Sequence, residues 1–170
     1  MWAVIPIKNV NEAKHRLASV LSPNERRELF VAMFEDVLTT VLAVPRLEKV
    51  VVATVCPTAC GIAKRHGASV LSTGQDEGQT AAVANTAAAL ESKGVEGLLM
   101  LPGDIPLVTT EEIQAVLEVH GDSPAMTIVP ARDELGSNCI ALSPPNAAPL
   151  RFGSNSYCPH LDTARKLGLE

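Results

Sequence analysis

Short apolar runs alternate with helix-forming stretches along the whole chain, and this alternation limits the folds open to it. "WAVIPI", "EKVVVATV", "ASVLS", "EGLLMLPGD", "PAMTIVPA" and "NCIALSPP" read as strands. Between and after them, "SPNERRELFVAMFEDVLTTVLAV", "PTACGIAKRHG", "DEGQTAAVANTAAALESKG", "TTEEIQAVLEVHG" and "SYCPHLDTARKLG" read as helices. The alternation predicts a mostly parallel sheet with right-handed crossovers and helices on both faces, a three-layer α/β/α fold. Only 3% of the 170 residues are aromatic against 46% hydrophobic, so Ala, Val, Leu and Ile must build the core. That palette suits parallel strands buried on both faces. Residues 1–170 are expected to form one domain. The rhythm calls for a further strand after "RKLGLE", so the domain is expected to lack its C-terminal strand.

The helix boundaries carry their own chemistry. Ser22 caps the first long helix, Pro23 takes its first position and Glu25 closes a capping box. Phe30, Met33, Phe34, Val37, Leu38, Val41 and Leu42 then repeat at three and four, giving one apolar stripe. Thr109 or Thr110 caps the fourth helix, and Gly67, Gly94, Gly121 and Gly168 are read as stops.

Charge narrows the function. The chain carries a net −5, which argues against a nucleic-acid binder. Five cations in residues 1–27 (Lys8, Lys14, Arg16, Arg26 and Arg27) oppose Glu12 and Glu25, so that segment is +3 and the remainder −8. A small basic zone on an acidic protein suits a compact anion. No apolar run reaches the ~20 residues of a membrane span, and "MWAVIPIK" carries no signal-peptide pattern. A cytoplasmic chain is expected, with Cys56, Cys60, Cys139 and Cys158 reduced and structural; their spacing gives no zinc motif.

In sheets of this kind ligands bind beyond the carboxyl ends of the strands. Lys8 follows the first strand directly. Asp104 follows another, fenced by Pro102, Gly103 and Pro106 in "LPGDIPLVT". A carboxylate so placed suits a metal or a phosphate-bearing substrate. The loop "VIPIKNVNEAKHRL", with Lys8, Lys14 and Arg16, can wrap a triphosphate through backbone N–H groups and cations; an ordinary surface loop is the competing reading. Neither GxxxxGK[ST] nor GxGxxG occurs, which disfavours a P-loop NTPase or an ordinary NAD enzyme. His66 and His120 fall at helix ends, where a protonated ring favours the dipole. His160 lies near the segment "RFGSNS".

"VIPIK…AKHRLASVLSPNERREL", "LPGDIPLVT", "GSN" and "RFGSNSYCPHLDTARKLGL", in that order over nearly the whole chain, resemble the 2-phospho-L-lactate guanylyltransferase family. The resemblance implies a Rossmann-like, GT-A type nucleotidyltransferase fold and a role in coenzyme F-420 biosynthesis. It implies transfer of GMP from GTP to 2-phospho-L-lactate, phosphoenolpyruvate or 3-phospho-D-glycerate, with release of pyrophosphate. It makes Lys8 and Asp104 catalytic, with Asp104 holding Mg²⁺, and it places Lys8, Lys14, Arg16, Gly78, Gln79 and Thr80 on the nucleotide. Ser137, Asn138, Gly153, Ser154 and Ser156 fall where the family holds the acceptor.

Three departures are visible. Ser137 stands where the family often has Thr, and Gly78-Gln79-Thr80 where it often has Gly-Leu-Asn. A second metal-binding Asp is expected on a strand beyond Glu170. His160 receives no catalytic role, because the phosphate nucleophile is already ionised at neutral pH. GTP and a small phospho-acid are the expected partners, with a second copy of the chain as a further candidate and neither nucleic acid nor membrane. Two other readings stay open: a molybdopterin or sugar-phosphate nucleotidyltransferase, and a catalytically inactive nucleotide-binding protein. The first would call for paired glycines in the opening loop, which "PIKNVNEAKHRL" lacks.

Overall fold

The computed structural model describes residues 1–72, 79–153 and 155–169, with the side chains of Gln79, Thr80 and Ala82 left aside. Six strands form one sheet: β1 (Trp2–Pro6), β2 (Lys49–Ala53), β3 (Ser69–Leu71), β4 (Leu98–Met100), β5 (Ala125–Pro130) and β6 (Ser137–Ser143). The helices are α1 (Pro23–Leu42), α2 (Pro57–Arg65), α3 (Gln79–Glu91), α4 (Thr110–Val119) and α5 (Tyr157–Leu167). The strand order is β3-β2-β1-β4-β6-β5. β1 pairs in parallel with β2 and β4, and β2 in parallel with β3. The expected mostly parallel sheet is present, with one addition: β6 runs antiparallel to both β4 and β5. No helix separates β5 from β6, so the strict alternation ends there.

The period-two pattern of the strands sorts the core into two layers. Ala3, Ile5, Leu99 and Ala141 face α1, α2 and α4, where Phe34, Leu38, Ile62 and Ile113 are buried. Val4, Met100, Ile140 and Leu142 face α3 and α5, meeting Val83, Leu90 and Ala164. Fully burying one side chain of the size of Phe34 or Leu90 contributes roughly 1.5–3 kcal/mol, so this two-sided aliphatic core is the main stabilising term.

The helix ends follow their local chemistry. Ser22 and Glu25 form the anticipated capping box on α1, and Thr109 with Glu112 forms a second on α4. Gly168 ends α5 at φ +64, a left-handed conformation that glycine adopts without a Cβ penalty. The segment between β1 and α1, read from sequence as a polar loop, contains two single 3₁₀ turns, Val10–Glu12 and His15–Leu17.

At the carboxyl end of β4 the chain must pass very close to β1 and α1. A Cβ on Gly103 would meet Ile7 Cδ1 well inside contact distance and Phe34 Cδ2 at 3.2 Å. Both neighbours are buried and have little room to yield. Gly103→Ala is therefore expected to destabilise the fold by about 1–3 kcal/mol, the usual cost of overpacking. Urea unfolding with an unchanged midpoint would show that Ile7 moves aside freely.

Candidate functional site

The sheet order creates the site. From β1 the chain steps to β2 on one side, then returns past β1 to β4 on the other, so the β1/β4 boundary is where the winding reverses. A crevice opens at the carboxyl ends of strands at such a point. Lys8 lies two residues beyond β1 and Asp104 four beyond β4. Met100 pairs with Ile140, so the antiparallel β6 begins at this same edge and brings Ser137 and Asn138 beside the end of β4.

The two faces of this edge differ in chemistry. On the β1 side, Lys14 Nζ stands 2.9 Å from Asp104 Oδ2, joining residues ninety positions apart. The Lys14 and Asp104 side chains are 23% and 39% exposed, so the pair is partly solvated rather than in the core. Lys14 has a left-handed backbone, φ 56 and ψ 39. Lys8 and Arg16 are exposed along the same loop.

On the β6 side the hydrogen-bonded network is built of hydroxyls and an imidazole, with the exposed Arg151 and the turn carrying Arg132, Asp133 and Glu134 adjoining it in the chain. Ser137 N–H donates to Ser156 Oγ at 3.1 Å. Ser156 precedes α5 but makes no side-chain cap there; its hydroxyl serves Ser137 instead. Ser156 is buried at 3% exposure, and its own N–H donates to Leu135 O at 2.8 Å. His160, one helical turn further on, is 1% exposed. Its Nδ1 is 3.0 Å from Ser137 Oγ, and its Nε2 accepts from Arg151 N–H at 2.9 Å. Asn138 is half-buried and Gly153 exposed beside this network.

Of the residues singled out from sequence, Lys8, Lys14, Asp104, Ser137, Asn138 and Ser156 share this edge. Gly78 and Ser154 lie outside the described residues, as do the side chains of Gln79 and Thr80. Among the described residues no three His, Cys, Asp or Glu side chains gather around one point. The four cysteines are unpaired, and burial pushes the Cys139 thiol up to about 12. No helix among the described residues is long and apolar enough to cross a membrane.

His160 was not assigned a function from sequence. Its spacing from Ser156, i to i+4 on a helix, was the available signal. His120 also departs from expectation. Burial lowers its pKa, and its ring sits between Thr127 Oγ1 at 2.9 Å and Ser143 Oγ at 3.0 Å. It acts as a neutral tie between α4, β5 and β6, not as a protonated helix cap.

The six-stranded, mostly parallel sheet with helices on both faces is a Rossmann-like α/β fold. The fold is shared with a solved nucleotidyl transferase from Methanothermobacter thermautotroptrophicus, at TM-score 0.74 and 16% identity, covering 98% of this chain and 82% of that one. The sequence is more specific. The model of the family described as "Guanylyl transferase CofC like" matches residues 1–170, and the chain belongs to that family. The phosphoenolpyruvate guanylyltransferase of Rubrobacter xylanophilus is 34% identical over 99% of this chain and 82% of its own length. That of Sphaerobacter thermophilus is 33% identical over 98% of this chain and 80% of its own.

The buried His160 and part-buried His120 imidazoles have a measurable consequence. Burial lowers the pKa of both His120 and His160 below the ordinary 6.5. The unfolded chain then binds protons that the folded chain refuses, so stability is full above 6.5 and falls as pH drops below it. Urea unfolding between pH 7.5 and 5.5 should show a declining midpoint, in a window above the carboxylate titrations. A flat profile would mean that the rings titrate normally.

Proposed function

We propose that the protein transfers GMP from GTP to phosphoenolpyruvate or a close phospho-acid, releasing pyrophosphate. The observation that carries this reading is that one sheet edge brings together the Lys14–Asp104 pair and the hydroxyl network of Ser137. In the proposed reaction a phosphate oxygen of the acid attacks the α-phosphorus of GTP. A bond forms between them, the bond from that phosphorus to the bridging oxygen breaks, and pyrophosphate leaves with the electron pair. No proton needs to be abstracted, so the chain's task is alignment and charge neutralisation.

Lys8, Lys14 and Arg16 would bind the triphosphate from the opening loop, with Lys8 nearest the end of β1. Asp104 would hold Mg²⁺. The carboxylate is partly solvated and belongs to the oxygen-donor chemistry Mg²⁺ prefers, while Lys14 engages its Oδ2, so the ion would share or displace that contact. The ion, when bound, would neutralise charge on the phosphates. Gly78, Gln79 and Thr80 would approach the base and ribose. Ser137, Asn138, Gly153 and Ser154 would hold the acceptor through hydroxyl and backbone donors; Ser156, expected there from sequence, is buried with its N–H and hydroxyl engaged by Leu135 and Ser137, and would support Ser137 from behind. The names of the relatives favour phosphoenolpyruvate over 2-phospho-L-lactate and 3-phospho-D-glycerate. Small polar groups suit all three acids better than a pterin or a sugar ring.

Pyrophosphate release should be measured with GTP and each of the three acids. Phosphoenolpyruvate is expected to give the highest kcat/KM, and no release with any acid would overturn the reading. Asp104→Asn is expected to reduce turnover by about 100-fold or more, roughly 2.7 kcal/mol of barrier, with the fold intact by circular dichroism. Lys8→Ala should raise the KM for GTP or lower kcat by about tenfold. Normal kinetics in both variants would remove Asp104 and Lys8 from the site.

A further inference from the structure

We propose that His160 is a positioning residue whose Nδ1–H makes the Ser137 hydroxyl a hydrogen-bond donor toward the bound phospho-acid. The assignment deepens the reading above and rests on it for the identity of the ligand, while the tautomer stands on geometry alone. Arg151 presents a backbone N–H to Nε2 at 2.9 Å, and an amide N–H can only donate. Nε2 must therefore be the bare nitrogen, and the ring proton resides on Nδ1. At 3.0 Å from Ser137 Oγ, that N–H donates to the hydroxyl oxygen. Ser156 Oγ–H approaches the same oxygen at 3.4 Å, a longer and weaker contact. With both lone pairs engaged, the hydrogen of Ser137 remains for an acceptor outside the network. Ser137 is the partly exposed member, whereas Ser156 and His160 are buried behind it.

The ring has little freedom to do otherwise. Phe152 packs edge-on against it, with centroids 5.4 Å apart at 61°. The backbone N–H of His160 donates to Ser156 O at 3.1 Å, so the same turn of α5 sets both side chains. Burial lowers the pKa of the ring, in accord with a neutral imidazole. A hydroxyl constrained to donate meets a phosphate or carboxylate oxygen well and meets another donor badly. Sites with such fixed polarity discriminate strongly against ligands lacking the complementary group. His160 itself touches no reacting atom in this scheme; it acts through Ser137.

Two substitutions separate its two hydrogen bonds. In His160→Gln the side-chain amide lies near the position of Nε2 and can still accept from Arg151 N–H, but it loses the donor to Ser137. In His160→Asn the amide lies near Nδ1 and can keep that donor. His160→Gln is expected to raise the KM for phosphoenolpyruvate about tenfold with the KM for GTP unchanged, and His160→Asn to recover most of that loss. Equal KM values for phosphoenolpyruvate in the Gln variant and the native chain would overturn the proposal, as would parallel losses for both substrates. The native chain supplies a second readout that needs neither turnover nor a folded variant. Nitrogen-15 NMR of the His160 ring should show a protonated Nδ1 and a bare Nε2. The opposite tautomer would overturn the proposal even in an active enzyme. If no phospho-acid is turned over and the Nδ1–H tautomer is still observed, the proposed function fails and the tautomer assignment survives.

Discussion

The parallel pairing of β1 with β4, from Trp2 opposite Leu98 to Val4 opposite Met100, is the contact on which the site depends. It sets two strands of distant sequence side by side with their carboxyl ends together, and it does so where the winding of the sheet reverses. The close passage of Gly103 over Ile7 and Phe34 then carries the chain from β4 across the end of β1. A side chain there would push the loop outward and carry Asp104 with it. The register of a buried strand is strongly specified, because a slip by one residue would turn Leu98 and Met100 to the wrong face. The position of one carboxylate is thus inherited from the packing of an aliphatic core.

The energetics of Lys14–Asp104 point away from a structural role. A partly exposed ion pair contributes on the order of 0–1 kcal/mol after screening and side-chain entropy. A left-handed backbone at a residue other than glycine costs about 1–2 kcal/mol. The loop therefore gains little or nothing from placing Lys14 there. Strain of this kind persists where surrounding structure over-determines it, and it gathers at functional sites. In the proposed reaction the arrangement makes sense: a cation and a carboxylate are held together at the edge where a polyanion would require both.

The parts of this architecture that were legible in sequence are those written locally. The capping box at Ser22 and Glu25, the apolar stripe of α1 and the glycine stop at Gly168 each depend on residues within a turn or two; the cap and the stop formed as read, and the stripe did so as far as Val41, with Leu42 left exposed. Family membership was legible for a related reason, since short segments in a fixed order survive without knowledge of the fold. Long-range geometry was not. Nothing near Lys14 announces a partner ninety residues away, and nothing in "NCIALSPP" states that this strand runs against its neighbours. The direction of β6 is what brings Ser137 to the carboxyl edge. His160 illustrates the same limit from the other side: its place near "RFGSNS" is legible in sequence, whereas the Arg151 amide and the Ser137 hydroxyl on its two nitrogens are set by the fold.

The split character of the edge bears on how two anionic substrates could share one crevice. Had both sides been lined by cations alone, either substrate could occupy either side, and a triphosphate, carrying more charge, would outcompete a three-carbon acid. Cations attract over distance with little regard for orientation, whereas a hydroxyl whose lone pairs are engaged binds only when an acceptor oxygen arrives along its O–H direction. In the proposed reaction, a cationic loop followed by an oriented hydroxyl network would therefore sort the substrates by charge first and geometry second. The hydroxyl network can afford weak individual contacts because its members are locked in place: Ser137 by Ser156 and His160, and His160 in turn by Arg151 and Phe152. Preorganised donors lose little freedom on binding, so modest hydrogen bonds suffice to set a phosphate in line with its target.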